Sequence, residues 1–355
     1  MKLPKVLVAA SRRRVRLLAG LGVVAGLAVL NALIARRSER GHAPNGSFVT
    51  VDGVRLHYTD RGQGSPIVLI HGNFVRGDDW DISGVAQRLL ATSRVLIFDR
   101  PGYGYSERPR GRFWTATEQA DLLHRALQQL NIERPLVVGH SFGAVVALAL
   151  GLRYQNDIRG LVLLAGYYFW TLRPDALSSA LTATPGVGDV FRYTFLPLLT
   201  FLQMPVLKWA MFSPVRITPQ FEESYSSSMA LRPSQLRASA VDGALMIPSV
   251  IKLSRSYKDL HLPLAVLAGD SDRIVFKRSS ERLHTAVPGS LLKIIAGAGH
   301  MVHHAAPDEV SDVIQTMQDE VMQDEVMQDE VMQDEQMQDE ERQRDGMAHW
   351  RIGEI

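Results

Sequence analysis

Hydrophobic positions along this chain fall into three regimes: a solid apolar block near the N-terminus, a body of short apolar runs alternating with helix-period segments, and a tail without an apolar face. The body opens with Phe48-Val-Thr-Val51 and Val54-Arg-Leu-His-Tyr58, two alternating stretches split by Asp52-Gly53 and closed by Gly62 and Gly64. That pattern predicts an antiparallel hairpin. Six continuous apolar runs follow, at Pro66–Ile70, Arg94–Phe98, Pro135–Val138, Gly160–Leu164, Leu264–Leu267 and Leu291–Ile295. Runs of this length without alternation suit strands buried on both faces. Helical periodicity covers Thr117–Leu130, Phe142–Arg153, Ser279–Ala286 and Pro307–Met317. The alternation predicts an α/β fold, a mostly parallel eight-stranded sheet with helices on both faces.

Between Leu164 and Leu264 the alternation lapses for about a hundred residues, too many for a plain loop. Phe191, Phe195, Phe201, Trp209 and Phe212, set among Leu and Met, give this stretch an apolar density that predicts helices covering something. The organisation expected is therefore residues 1–40 as an N-terminal segment, 41–168 as the first part of the core, 169–259 as an inserted helical lid, 260–316 as the second part of the core, and 317–355 as a repetitive tail.

The N-terminal block, Leu17–Ala35, is 19 residues without a charge, interrupted only by Asn31 among polar types. At helical rise it is just long enough to cross a hydrocarbon core, and it reads as a transmembrane helix. A cleaved signal peptide and a buried core helix compete with this reading. No good small-x-small cleavage site follows the run, and the run precedes the first strand signal. Lys2, Lys5, Arg12, Arg13, Arg14 and Arg16 precede the span while Arg36, Arg37 and Arg40 follow it, so the positive-inside bias puts the N-terminus in the cytoplasm and the body on the outer, periplasm-like side. Gly22 and Gly26 have the spacing of a helix-packing motif, but lipid-facing glycines are common in such spans.

The net charge of +2 conceals a basic N-terminus and an acidic tail, in which Met-Gln-Asp-Glu recurs five times from Met317. A five-residue period advances about 140° per repeat on a helix, so the repeat alone builds no apolar stripe. It is expected to be solvated, as disordered chain or frayed helix. What lies between the ends is nearly balanced, which argues against a nucleic-acid-binding face. The absence of cysteine removes disulfides, thiolate metal sites and a thiol nucleophile.

The chemistry is concentrated in Gly139-His-Ser-Phe-Gly143, which follows a buried strand and opens a helix. A tight strand-to-helix turn of this kind strains the backbone of Ser141 and tolerates no bulk two residues to either side, where Gly139 and Gly143 stand. The helix N-terminus then offers free N–H groups to a developing anion. A serine hydroxyl needs a base, and the base needs an orienting carboxylate. Downstream, Gly269-Asp-Ser-Asp272 and Gly297-Ala-Gly-His300 each follow an apolar run, placing both groups at strand C-termini. Asp270 shares the first loop with Asp272. His303 and His304 follow His300 closely, but a metal site from these three lacks the usual helical spacing and distant acid, so they read as polar packing neighbours. His71 and His140, beside glycines, read as structural.

From about Phe48 to Thr316 the chain resembles the α/β-hydrolase superfamily, including its esterases, haloperoxidase-like enzymes and carbon–carbon bond hydrolases. Four motifs carry the resemblance in order: His71-Gly-Asn73-Phe74, Asp99-Arg-Pro-Gly-Tyr-Gly-Tyr-Ser106, the Ser141 elbow, and the Asp272 and His300 pair. It implies Ser141 as nucleophile, His300 as base, Asp272 rather than Asp270 as acid, and an oxyanion hole from the backbone N–H groups of Asn73 and Phe142. No carboxylate in Ala165–Trp170 offers the alternative acid position of some relatives, and Ser141 excludes the branches with an aspartate nucleophile. The expected protein is a membrane-anchored serine hydrolase acting on a small hydrophobic ester or acyl substrate, without cofactor or metal and without a nucleic-acid partner. Carbon–carbon cleavage or perhydrolysis on the same triad is the alternative, and a non-enzymatic binding module the third reading.

Overall fold

The computed structural model describes residues 5–323 and residue 327. Eight strands, β1 (Ser47–Val51), β2 (Val54–Arg61), β3 (Pro66–Ile70), β4 (Arg94–Phe98), β5 (Leu136–His140), β6 (Gly160–Leu164), β7 (Leu264–Gly269) and β8 (Leu291–Ile295), form one sheet in the order β1-β2-β4-β3-β5-β6-β7-β8. The hairpin β1–β2 and the β2–β4 pair are antiparallel; the remaining neighbours are parallel. The apolar runs of β3 to β7 have the burial that a two-faced core requires. The run at Leu291–Ile295, expected to be buried on both faces, is not, because β8 has a neighbour on one side only; of its residues only Ile295 is buried, while Leu291 is exposed. Ile67 and Leu69 point into one core with Trp80, Leu89 and Ile314, whereas Val68 and Ile70 point into the other with Leu123, Val145 and Leu148.

The helices, in chain order, are α1 (Lys5–Gly41), α2 (Asp79–Ile82), α3 (Val85–Leu89), α4 (Ala116–Gln129), α5 (Phe142–Arg153), α6 (Pro174–Ala183), α7 (Val187–Tyr193), α8 (Leu196–Phe212), α9 (Pro219–Ser224), α10 (Ser227–Ala230), α11 (Pro233–Leu253), α12 (Arg278–Ala286), α13 (Val302–Ala305) and α14 (307–323). Thr115 starts α4 by accepting the Glu118 N–H, a side-chain cap that fixes where the helix begins. α5 is apolar on every face and buried from Phe142 through Gly151, as a helix must be when it lies between sheet and lid. Helices α6 to α11 fill the insertion between β6 and β7 together with a short 3-10 turn at Tyr257–Asp259.

Two further structural features depart from the sequence reading. The N-terminal helix runs to Gly41 and is exposed along its apolar window, which removes the core-helix reading, yet it is not a detached leader. Asn31 Nδ2 donates to the carbonyls of Tyr193 and Thr194 at 2.9 and 2.8 Å, Ser38 and Ser228 hydroxyls lie 2.8 Å apart, and Glu39 pairs with Arg232 at 2.9 Å. The helix is therefore docked on the lid.

The second departure is at the tail. α14 passes the expected end at Met317 and continues through the first repeat, burying Met317, Gln318 and Val321. The repeat alone has no stripe, but Val310, Val313, Ile314, Met317 and Val321 form one across the boundary, at spacings that keep a single helical face on the core. Except for Met327, residues 324–355 lie outside the described residues.

Candidate active site

The elbow between β5 and α5 sets the site. Ser141 has φ 55° and ψ −118°, a conformation few non-glycine residues adopt, and its N–H donates to Leu164 O at 2.8 Å. The flanking glycines are steric requirements. A Cβ on Gly139 would lie 2.4 Å from Gly143 O, and one on Gly143 would lie 2.4 Å from Ile70 O, both against backbone that cannot yield.

His300 Nε2 lies 2.9 Å from Ser141 Oγ, and its Nδ1 lies 2.8 Å from Asp272 Oδ2. The other Asp272 oxygen accepts the N–H groups of Ile274 and Val275 at 2.8 and 2.9 Å, so the buried carboxylate is fully engaged. Asp270 faces elsewhere: its Oδ1 accepts from the Ser271 hydroxyl and from Gly297 N–H. A hydroxyl bonded to an imidazole whose second nitrogen is held by a buried carboxylate is an arrangement that can activate an oxygen nucleophile.

Phe142 is the first residue of α5, so its N–H has no partner within the helix and belongs to the free donors at the helix start. Across from it, the loop after β3 passes so close that a Cβ on Gly72 would meet the Ser141 Cβ at 3.1 Å. Asn73 follows directly. The loop is clamped by Arg100, whose Nε donates to His71 O at 2.8 Å and whose Nη2 donates to Gly72 O at 3.0 Å and Asn73 Oδ1 at 2.9 Å. Its remaining nitrogen, Nη1, reaches Gln119 and, at 2.6 Å, Asp242 on lid helix α11. Arg108 takes the second Asp242 oxygen at 2.8 Å. Burial alone would raise the Asp242 carboxyl, but the guanidiniums of Arg108 and Arg100 outweigh it and lower it.

The histidines read as structural have definite partners. His71 accepts the Arg100 N–H at Nε2 and donates from Nδ1 to Gly72 O; burial and the neighbouring Arg100 lower it to about 3, so it stays neutral. His140 Nε2 donates to His300 O at 3.0 Å, while burial and the adjacent His303 and His300 push it well below its ordinary value. His303 and His304 both donate to Asp79, at 2.8 and 2.9 Å. Asp79, His140 and His303 each bring a possible ligand atom within 4.8 Å of the others. Both Asp79 oxygens accept an imidazole N–H, so the carboxylate is engaged behind His300, while Nδ1 of His140, His303 and His304 is buried without a hydrogen-bond partner. Sequence reasoning missed Arg100, Asp79 and Asp242. Arg100 stood inside a quoted motif without a role, and Asp242 and Asp79 have no local pattern that marks them.

A family model described as alpha/beta hydrolase fold matches residues 65–307, and the chain belongs to that family. An uncharacterized protein of Mycobacterium tuberculosis is 29% identical over 296 residues, covering 78% of this chain and 82% of that protein. The 2-hydroxy-6-oxo-2,4-heptadienoate hydrolase of Pseudomonas putida is 25% identical over 266 residues, covering 74% of this chain and 91% of that enzyme. Among solved structures, a membrane phospholipase A described as a bacterial virulence factor superposes with a TM-score of 0.58 at 22% identity, over 88% of this chain and 99% of that one. That likeness concerns the fold.

Proposed function

We propose that this chain is a membrane-anchored serine hydrolase that cleaves an ester or related acyl bond through an acyl-enzyme. The observation that carries the reading is the single line from Ser141 Oγ through the His300 ring to Asp272, with hydrogen-bond lengths of 2.9 and 2.8 Å, on a strained elbow.

His300 takes the Ser141 proton as the oxygen attacks the carbonyl carbon, and Asp272 stabilises the imidazolium that results. The N–H groups of Asn73 and Phe142 hold the oxyanion. Collapse of the tetrahedral species expels the alkoxide, which leaves with the proton from His300. Water then attacks the acyl-enzyme, losing a proton to the same ring, and the second collapse returns that proton to Ser141 and frees the acid. The cycle closes with water and these groups, and needs no cofactor.

The similarity to the heptadienoate hydrolase favours a second reading on the same triad, carbon–carbon cleavage of a diketone. Purified enzyme assayed with p-nitrophenyl esters of increasing chain length against ring-fission diketones separates the two. A fluorophosphonate should label Ser141; failure to label, together with no turnover of either substrate set, would return the fold to a binding role.

The anchor is the N-terminal helix, supported by its apolar window and its exposure. The basic excess ahead of the span favours a cytoplasmic N-terminus with the body outside. Added protease should degrade the body in spheroplasts, and the mature chain should keep its N-terminal segment by mass. Protection of the body would reverse the orientation, and a chain beginning after Ala35 would replace the anchor with a cleaved signal.

A further inference from the structure

Helix α8 of the lid is apolar on its outer face as well as on its inner one. Its inward positions are Pro197, Thr200, Met204 and Phe212, all buried. Its outward stripe, at helical spacing, is Leu199, Leu202, Val206 and Trp209, between 50% and 67% exposed, and Phe195 extends it one turn back. A helix facing water carries its polar residues outside. Here the only charge in the helix, Lys208, is half-buried over the Phe221 and Tyr225 rings. An apolar outer stripe of this length marks a surface that meets another apolar phase.

The docking of α1 says which phase. Asn31 lies inside the apolar run, four residues before its end at Ala35, and it holds the carbonyls of Tyr193 and Thr194 at the bend between α7 and α8. At about 1.5 Å per residue, an upright α1 places that bend about 6 Å below the end of the apolar segment. The next contacts up the helix, Ser38 with Ser228 and Glu39 with Arg232, fall about 10–12 Å higher, beside the exposed Arg36, Arg37 and Arg40. Those arginines suit the level of lipid phosphates.

From this, resting on the proposed membrane anchor, we infer that the α7–α8 part of the lid is immersed in the outer leaflet of the bilayer, with the α8 stripe facing lipid acyl chains. The far end of α8 abuts the site. Met301 N–H donates to Met211 O, and a Cβ on Gly299 would lie 2.4 Å from Ser213 O, so the lipid-facing helix ends against the loop that carries His300. The substrates that reach Ser141 are thereby acyl esters dissolved in the membrane.

The absence of native cysteine makes the test clean. Full-length Leu202→Cys, Leu21→Cys and Leu291→Cys, each carrying an environment-sensitive fluorophore, are reconstituted in vesicles of phosphatidylcholine with a minority of phosphatidylglycerol, with and without acyl-chain nitroxide lipid. Turnover of p-nitrophenyl acetate checks that each folds. The probe at 21, within the membrane-crossing run, and the probe at 202, on a helix face immersed about 5–10 Å, should each lose about half their emission to the nitroxide, and the probe at 291 on edge strand β8 should lose none. Quenching at 21 but not at 202 overturns the inference and leaves the anchor standing. Self-quenching at 202 without nitroxide quenching overturns it too, in favour of a second copy on the stripe. Loss of quenching at both positions removes the anchor and the inference together.

Discussion

Arg100 and Asp242 form a buried ion pair 2.6 Å long that ties the loop carrying Asn73 to lid helix α11. Arg100 spends its other donors on His71, Gly72, Asn73 and Gln119, so the placement of the Asn73 N–H depends on a carboxylate that comes from the lid. Asp242→Ala leaves Arg100 and Arg108 buried without a countercharge. Loss of one member of a buried pair costs about 3–5 kcal/mol, and the denaturant midpoint should fall accordingly. Arg100→Lys keeps the charge but loses the fork that grips three groups of the loop; kcat should fall more than KM rises, because the loss is expressed at the oxyanion.

The same pair sets an acid limit. The Asp242 carboxyl is held below its ordinary value in the folded state, so it contributes stability that is fully present above the unfolded value, about 3.9, and is lost as pH falls through the lower folded value. Thermal unfolding followed from pH 6 downward should show Tm dropping below about pH 4, with a shallower drop in Asp242→Asn. An identical pH slope in the two proteins would remove Asp242 from the acid response.

Ser141→Ala and His300→Ala should each lower ester turnover by about 10⁴-fold or more, and the double variant should be little worse than either, because the groups act as a unit. Ser141→Ala removes one hydroxyl from a turn fixed by backbone, so its unfolding midpoint should stay near that of the parent. Near-normal hydrolysis by Ser141→Ala would discard the mechanism.

Asp272 and Asp270 are two residues apart, but only Asp272 reaches the ring of His300. Asp272→Asn should cost about 10⁴-fold in kcat by favouring the wrong imidazole tautomer. Asp270→Asn should keep most of its turnover, since that side chain only braces the turn at Gly297. Equal damage from both would break the assignment.

Most of the sheet was legible because its strands are continuous apolar runs: β3, β4, β6 and β8 begin and end where those runs do, although edge strand β8 is buried only at Ile295. The grouping of Ser141, Asp272 and His300 into one hydrogen-bonded line was legible for a related reason, since all three stand in glycine-marked turns after strands. Arg100 with Asp242, and Asp79 with His303 and His304, were not. Their partners are 142, 224 and 225 positions apart, and a buried charge pair has no local spacing to betray it. The docking of α1 was hidden likewise: Asn31 looked like a lone polar defect in an apolar run until its partners in the lid were visible.

The acidic tail supplies the last prediction, and the structure moves its boundary. A chain ending at Thr316 discards Met317, Gln318 and Val321, which are buried along the face of α14 that packs on the sheet, and also Met322, whose sulfur receives the Ser65 hydroxyl at 3.1 Å. Removing buried side chains of this size costs about 2–5 kcal/mol each for the larger ones. That truncation should lower the unfolding midpoint markedly. A chain ending at Gln323 keeps the buried stripe of the described residues and loses the later repeat units, which by their five-residue period present no continuous apolar face, together with the non-repetitive residues 341–355. It should match the full chain in unfolding midpoint and hold ester turnover within about twofold. The two truncations differ by seven residues, so comparing their denaturation curves measures what the first repeat contributes. Equal stability would show that the buried stripe ends before Met317, and loss of folding in the longer chain would show that the remaining repeats dock as well.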